Sequence, residues 1–223
     1  ITLDTGLHYV KIENNYATIP VDLDEFIGNK IVGISSGAIA QVVTGTNETT
    51  TDDKTLFVKY LDGGDSNYLT FIDGEDLQVV GGSALCTVKG SLVPESFENT
   101  GIGSASSIGS GIYYIDGFFV IVDTQTLIIS KYSSRPSAKI GLRLYETLIT
   151  SEEDSSLNDN AQGTYNYAAP GAHRYKLELL LEYIGIDDDV SDDFIELQRV
   201  EDGILINEIR TTEYNELEKT FAR

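Results

Sequence analysis

The stretch that decides the fold is Ile112-Tyr113-Tyr114-Ile115-Asp116-Gly117-Phe118-Phe119-Val120-Ile121-Val122. Two runs of β-branched and aromatic residues lie on either side of an Asp-Gly pair, a dipeptide that tight hairpin turns prefer. The stretch therefore predicts two antiparallel strands joined by a turn at 116–117.

Segments with the same alternation or β-branched composition recur along the chain. They predict strands at 56–61, 68–72, 127–132, 139–149, 194–200 and 204–209. Asp73-Gly74, after the second of these, is the strongest short hairpin signal, and Glu201-Asp202-Gly203 predicts a further hairpin. The strand at 127–132 is expected to extend the 112–122 hairpin into a meander, and Gly141 is expected to form a β-bulge. Roughly a dozen strands result, so the predicted fold is mainly β.

Helical signals are confined to two short segments. Asp22 to Ile27 predicts one turn, with Asp22 as N-cap and Gly28 as the stop. Glu213 to Phe221 has an apolar face at helical spacing after a candidate N-cap, Thr212. We therefore expect one or two short helices.

Changes in composition predict four regions. We expect an N-terminal connecting segment at 1–19, a small β-barrel-like module at 20–90, a Ser/Gly-rich linker at 91–110 and a larger antiparallel β domain at 111–223. Within the last region, 151–171 has no strand or helix period and predicts a long ordered loop. The sequence contains no Met, which favours a fragment of a longer polypeptide.

The charge balance excludes several classes of partner. The chain has 36 acidic and 15 basic residues and a net charge of −21. Binding to nucleic acid or to an anionic membrane surface requires clustered Lys and Arg, so neither partner is expected. The apolar runs are too short to span a bilayer. Cys86, the single cysteine, lies in an apolar stretch and is expected to be a buried, inert thiol.

Few residues suggest catalysis or metal binding. His173 is expected to be a loop or strand-edge residue rather than a general base. Glu152, Glu153 and Asp154 would be candidates for a glycosidase pair, but adjacent carboxylates are more typical of a solvated turn. The acidic cluster at 187–193 lacks the EF-hand spacing, and whether it binds a cation is left open. We predict no catalytic, cofactor-binding or metal-binding residues, no cofactor, and no enzymatic activity.

Two stretches resemble a known family. The first, from Tyr132 to Arg223, resembles a domain of unknown function in virion structural proteins of large tailed phages, notably T4-like cyanophages. The motifs that carry this resemblance are Lys139-Ile140-Gly141-Leu142, Leu157-Asn158-Asp159-Asn160-Ala161-Gln162-Gly163, Asn166-Tyr167-Ala168-Ala169-Pro170-Gly171-Ala172-His173-Arg174 and Phe194-Ile195-Glu196-Leu197. The second stretch, Ile31 to Val42 with Leu56 to Tyr60, Phe71 and Gly74-Glu75, is similar to a small β module of phage tail and baseplate proteins.

The central motif predicts a packing or ligand-binding loop. Its amide side chains are expected to bond main-chain groups, and its glycines to adopt angles closed to other residues. A joint between subunits or domains is favoured, and a ligand-binding loop is the alternative. The candidate residues are Asn160, Gln162, Gly163, Asn166, Pro170, Gly171, His173 and Arg174.

The resemblance implies a structural component of a tailed-phage virion, located in the tail, baseplate or a tail fibre and acting through protein–protein packing. The expected partners are other virion structural proteins and further copies of the chain, with a trimer favoured. A module that binds a host surface glycan is the alternative function. A polysaccharide-degrading tailspike enzyme is the least supported.

Overall fold

The computed structural model describes residues 1–63, 69–90, 99–115 and 117–208. Strands make up most of the regular structure in these ranges, and the only helical elements there are two single 3-10 turns. The predicted mainly β fold is therefore confirmed. The predicted helix at 213–221 lies outside the described residues.

The chain divides into two compact units. The N-terminal unit comprises 3–106 and 128–136, and the C-terminal unit comprises 1–2, 107–127 and 137–223. The strands are β1 (Thr2–Lys11), β2 (Asn15–Tyr16), β3 (Ile19–Pro20), β4 (Lys30–Gly33), β5 (Ala38–Thr46), β6 (Thr55–Gly63), β7 (Asp76–Val79), β8 (Leu85–Thr87), β9 (Thr100–Ile108), β10 (Gly111–Ile115), β11 (Phe118–Val122), β12 (Gln125–Ser130), β13 (Ala138–Ile149), β14 (Arg174–Gly185), β15 (Phe194–Glu201) and β16 (Ile204–Glu208).

An eight-stranded sheet with the order β12-β9-β1-β6-β5-β4-β7-β8 underlies the N-terminal unit. Successive side chains of a strand point to opposite faces, and the sheet buries apolar residues on both. Val10, Leu56 and Val58 belong to the larger core cluster. Leu7, Tyr9 and Phe57 belong to a second cluster.

A buried carboxylate holds the turn between β4 and β5. Glu75 accepts hydrogen bonds from the backbone N–H groups of Ser35, Ser36 and Ile72 and from the Ser36 hydroxyl, at 2.7–3.2 Å. Its desolvation is offset by these four donors. This contact gives Gly74-Glu75, part of the second resemblance, a structural role.

A partly buried ionic group surrounds Asp52. Lys131 Nζ lies 2.7 Å from Asp52 Oδ2, and the Tyr132 hydroxyl donates to the same carboxylate. Burial works to raise the pKa of Asp52, but the hydrogen bonds from Lys131 and Tyr132 outweigh it and hold that pKa below its ordinary value. The ionised form of Asp52 therefore stabilises this unit.

Two segments that were predicted to be connections are strands. Residues 1–19 were predicted to be a connecting segment, but β1 pairs with β6 inside the sheet, with Tyr9 opposite Phe57 and Val10 opposite Leu56. Residues 91–110 were predicted to be a linker, but 100–108 form β9. Small residues are needed in β9 because a Cβ on Gly101 would lie 2.7 Å from the Tyr9 ring, and one on Gly103 would lie 2.5 Å from the Lys131 carbonyl oxygen.

Two pairing predictions are also wrong. Asp73-Gly74 forms a turn, but 69–72 are not a strand, because the Ile72 N–H is bonded to the Glu75 carboxylate instead of a neighbouring strand. The strand predicted at 127–132 exists as β12, but it borders β9, whereas β10 and β11 form a separate two-stranded sheet. The meander is therefore absent from the described part of the chain.

A four-stranded antiparallel sheet with the order β14-β13-β15-β16 lies in the C-terminal unit. The predicted hairpins at 112–122 and 194–208 are confirmed. The predicted bulge is confirmed too, since the β13–β15 register shifts between Ile140 and Gly141. A Cβ on Gly141 would lie 2.1 Å from the Ile195 carbonyl oxygen, so the close approach of β15 requires glycine here.

The other local predictions of the N-terminal unit agree with the structure. The segment after Asp22 forms a 3-10 turn at Leu23–Glu25, with the Asp22 side chain accepting from the Asp24 N–H. Gly28 has a φ of 79° and ends it. Cys86 is buried, and burial raises the pKa of its thiol to about 12.

Within the described residues, no helix has the length and apolarity needed to cross a membrane.

Gly141→Ala is expected to destabilise the C-terminal unit, because the added Cβ meets a backbone carbonyl that moves only if β15 moves. We expect a loss of about 2 kcal/mol in the free energy of unfolding, measured by urea denaturation. Gly109→Ala is the matched control, since nothing lies within 4 Å of its Cβ position, and its change should stay within about 0.5 kcal/mol. Equal losses in both variants would contradict the packing argument.

Asp52→Asn is expected to lower stability at neutral pH by about 2 kcal/mol, since hydrogen bonds to an ionised group are lost. The folded-state pKa of Asp52 lies below its ordinary value of 3.8. Its stabilising effect is therefore complete above that value and is lost as the pH falls through the folded-state pKa. Melting curves of protein and variant should converge only as the pH falls below the folded-state pKa of Asp52. Asp62→Asn, at an exposed carboxylate of β6, is the control and should melt like the unmodified protein.

Candidate interaction surfaces of the C-terminal unit

The two longest strands form a ribbon that continues beyond the four-stranded sheet. β13 and β14 are paired along their whole length, from Ala138 opposite Gly185 to Ile149 opposite Arg174. β15 pairs only with Ala138–Arg143 of β13. Residues 144–149 and 174–179 therefore form a two-stranded extension, and the predicted loop connects its ends.

The loop is folded on itself by backbone hydrogen bonds. The Asp159 N–H donates to the Ala169 carbonyl at 3.0 Å, and the Ala168 N–H donates to the Asp159 carbonyl at 2.8 Å. These two bonds close the segment 160–167 into a small ring. Ala168, at the end of this ring, has a φ of 60°. This left-handed backbone conformation is energetically unfavourable for a residue other than glycine.

Acidic and hydroxyl side chains cap the turns of this loop. Asp159 Oδ1 accepts from the Ala161 N–H at 2.8 Å, and Glu153 accepts from the Thr150 N–H at 2.9 Å. Asp154 is the N-cap of the 3-10 turn Ser155–Leu157. Hydrogen bonds from Ser156 hold the pKa of Asp154 below its ordinary value. The predicted glycosidase candidates Glu153 and Asp154 are thus structural caps.

The predicted role of the loop amides is wrong. The side chains of Asn160, Gln162 and Asn166 make no hydrogen bond to the described part of the chain and are exposed. The bracing residues are instead Asp154, Asp159 and Thr164, whose hydroxyl donates to the Ala161 carbonyl. An Asp whose carboxylate accepts the N–H two residues later is a common turn signature. That signature in Asp159-Asn160-Ala161 could have identified the bracing residue.

Gly163 has the predicted role, whereas Gly171 is required for a close approach and not for its backbone angle. Gly163 has a φ of 85°, in the left-handed region that favours glycine. A Cβ on Gly171 would lie 1.9 Å from the Leu157 carbonyl oxygen. Pro170 and His173 are exposed beside it, and Arg174 is the first residue of β14.

An open polar groove of about 350 Å³ lies in the loop, and Asn160 and Gln162 are among its lining residues. Tyr167 also borders it and is half-exposed, whereas the neighbouring Tyr165 is fully exposed. Asn166, Pro170, His173 and Arg174 do not line this groove. The structure thus brings only two of the eight predicted residues to one site.

A second surface is the outer face of β10 and β11. Ile112 pairs with Ile121 and Tyr114 with Phe119, so all four side chains lie on one face. They are between 67% and 77% exposed, and the Tyr114 and Phe119 rings contact each other with centroids 5.1 Å apart. Val120 and Val122 on the other face are buried. We call the four exposed residues the hairpin face.

The free edge of β14 lies near the same hairpin and is partly capped. The Gln125 side-chain amide donates to the Leu179 carbonyl at 2.9 Å and accepts from the Leu181 N–H at 2.7 Å. It satisfies two backbone groups that a neighbouring strand would otherwise pair. Beyond this cap, an apolar groove of about 490 Å³ is lined by residues that include Phe118 and Tyr175.

The charged residues of the ribbon form ion pairs. Arg143 binds Glu182 and Asp193, both at 2.7 Å, and the hydrogen bonds that it donates to Asp193 and Glu182 raise the pKa of Arg143. Asp188 of the acidic turn accepts from the Gly185 N–H. No cluster of three metal-binding side chains occurs among the described residues.

A serine motif lies in the turn between β4 and β5 of the N-terminal unit. Gly33-Ile34-Ser35-Ser36-Gly37 matches the Gly-x-Ser-x-Gly spacing of hydrolase nucleophiles. The motif in those enzymes joins a strand to a helix, whereas here it joins β4 to β5. Ser35, at the nucleophile position, is exposed, and its backbone N–H donates to Glu75 at 3.2 Å. The Ser36 hydroxyl is buried and also bonded to Glu75, so the contacts of this turn are structural.

Comparison with known proteins gives one match. The family model of a domain of unknown function, DUF4815, matches residues 102–223. The chain belongs to this family. The DUF4815 region is more than half of the 223 residues, and includes the hairpin face, the ribbon and the loop. No curated protein and no solved structure matches the chain.

Gly171→Ala is expected to disrupt the folded loop of the DUF4815 region, since the new Cβ would overlap the Leu157 carbonyl oxygen. Proteolysis follows the population of locally open states. Chymotrypsin should therefore cleave after Tyr165 and Tyr167 at least about tenfold faster, as measured by mass spectrometry of timed digests. Ala172→Ser, at the adjacent exposed position, should leave the cleavage rate unchanged. An unchanged rate in the glycine variant would refute the close approach.

Proposed function

We propose that this protein is a structural component of a tailed-phage virion, in the tail, baseplate or a tail fibre, and that it acts through protein–protein packing. The observation that carries the proposal is the hairpin face. Two aromatic and two isoleucine side chains, all largely exposed, form one continuous apolar surface.

The size of this surface favours a covered state in the assembly. Its four side chains present on the order of 600 Å² of mostly apolar area, which equals the largest patches found on ordinary monomers. A standard interface buries about 800 Å² on each partner. The hairpin face alone therefore presents about three quarters of the area that one partner of such an interface buries.

The charge distribution permits contact between copies of the same chain at the hairpin face. With a net charge of −21, copies repel each other over most of their surface. The hairpin face has no charged side chain, so two copies can meet there without placing like charges together. We therefore propose that copies of the chain form a homo-oligomer through the hairpin face. Because threefold symmetry is common in phage fibres, a trimer is the first expectation.

The family resemblance supports a place in the particle. The motifs of 132–223 resemble those of virion structural proteins of large tailed phages, and they lie inside the DUF4815 match. The described acidic residues with defined contacts, such as Glu75, Glu182 and Asp193, bind structural partners. Because these carboxylates form structural contacts, they support a mechanical role for the protein.

The variant Phe119→Ser/Ile121→Ser is expected to dissociate the oligomer, because it removes two central apolar side chains from the interface. Central interface residues are each worth about 2 kcal/mol or more, so self-association should weaken at least about thirtyfold. Light scattering coupled to size exclusion should give a multiple of 24.4 kDa for the unmodified chain and the single mass for the variant.

Ile19→Ser/Ile34→Ser is the matched control, since both residues are exposed isoleucines of the N-terminal unit, and it should retain the oligomer. A monomeric unmodified chain, or an oligomer that survives both double variants, would contradict the proposed packing. The place in the particle is tested separately, by immunogold imaging of intact phage with antibody to this chain. Absence of label from tail, baseplate and fibres would refute it.

A further inference from the structure

The loop groove has walls that are fixed before any ligand binds. The backbone bonds between Asp159 and Ala168–Ala169, together with the Asp159 and Thr164 side chains, hold the loop. The amide side chains at the groove take no part in this bracing. A ligand would therefore meet a preformed surface and would not have to order the loop, which favours affinity.

The groove presents uncharged hydrogen-bonding groups. Asn158, Asn160 and Gln162 line it, and none of these amides is bonded to the described part of the chain. Each primary amide offers two N–H donors and one carbonyl acceptor. Three such groups on one surface suit a ligand that carries many hydroxyls, each both a donor and an acceptor.

An aromatic ring lies at the same groove. Tyr167 is among the lining residues and is 53% exposed, so its ring offers an apolar area beside the amides. The combination of an apolar ring with several neutral polar groups matches a sugar, which has C–H faces and hydroxyl edges. The groove volume of about 350 Å³ is within the range of small-ligand sites.

We propose that the groove formed by Asn158, Asn160, Gln162 and Tyr167 binds a neutral saccharide. The site holds the saccharide without cleaving it. Glycoside hydrolysis usually requires two positioned carboxyl groups, and Asp159 is the single carboxylate among the groove residues. That carboxylate already accepts a hydrogen bond from the Ala161 N–H. This site is distinct from the hairpin face and is independent of the packing function.

Ligand-observed NMR on the full chain tests the proposal, with glucose, galactose, mannose, N-acetylglucosamine and their β-linked disaccharides as probes. We expect saturation transfer to at least one of these sugars. Tyr167→Ala and Asn160→Ala/Gln162→Ala should each weaken its binding at least about tenfold, equivalent to about 1.4 kcal/mol. Both variants should keep the melting temperature, because they remove exposed side chains.

Tyr165→Ala is the matched control, since Tyr165 lies in the same loop but does not line the groove, and it should bind the sugar as the unmodified chain does. The proposal is overturned by the absence of saturation transfer from every probe, or by equal losses in the Tyr165 and Tyr167 variants. The mass of the oligomer, measured on the same samples, reports on the packing function separately.

Discussion

The C-terminal unit depends on the twelve-residue pairing of β13 with β14. This ladder satisfies the backbone of both strands over a length that β15 covers only in part. The half of the β13–β14 ladder that β15 does not cover ends where Ile149 pairs with Arg174. The segment between these two residues must therefore begin and end close together. The loop meets this constraint through the Asp159–Ala169 backbone pair and the close approach of Gly171 to Leu157. The geometry of the candidate groove thus follows from the length of one strand pair.

Much of the fold could be predicted from the sequence where the signal is local. The strand pairing of the 112–122 hairpin, the N-cap of Asp22 and the bulge at Gly141 involve residues close in the chain, and the structure has all three. The polar first strand and the Ser/Gly-rich β9 were missed. Their place depends on distant partners, such as Phe57 for Tyr9 and the Tyr9 ring for Gly101. Composition alone does not distinguish such a strand from a linker.

The candidate site shows the same division. The motif around 157–174 identified the loop, and the backbone angle of Gly163 followed from its residue type. The close approach of Gly171 to Leu157 did not follow from the sequence. Which side chains brace the loop was predicted wrongly, because amides as well as carboxylates can accept hydrogen bonds from main-chain N–H groups. Asp159 braces the loop by accepting a hydrogen bond from the Ala161 N–H, whereas the amide side chains are exposed. The hairpin face needed the structure, since the sequence does not tell which side of a two-stranded sheet is covered.

Gln125 has a consequence for how copies of the chain can associate. Its side-chain amide occupies the Leu179–Leu181 edge of β14 as a single peptide group of an extra strand would. Another molecule cannot add a strand at these two backbone groups, so growth by endless strand addition through this part of the edge is disfavoured. Contact through side-chain surfaces, in contrast, ends when a symmetric ring of subunits closes. One glutamine therefore favours an assembly of defined copy number over an open-ended fibril.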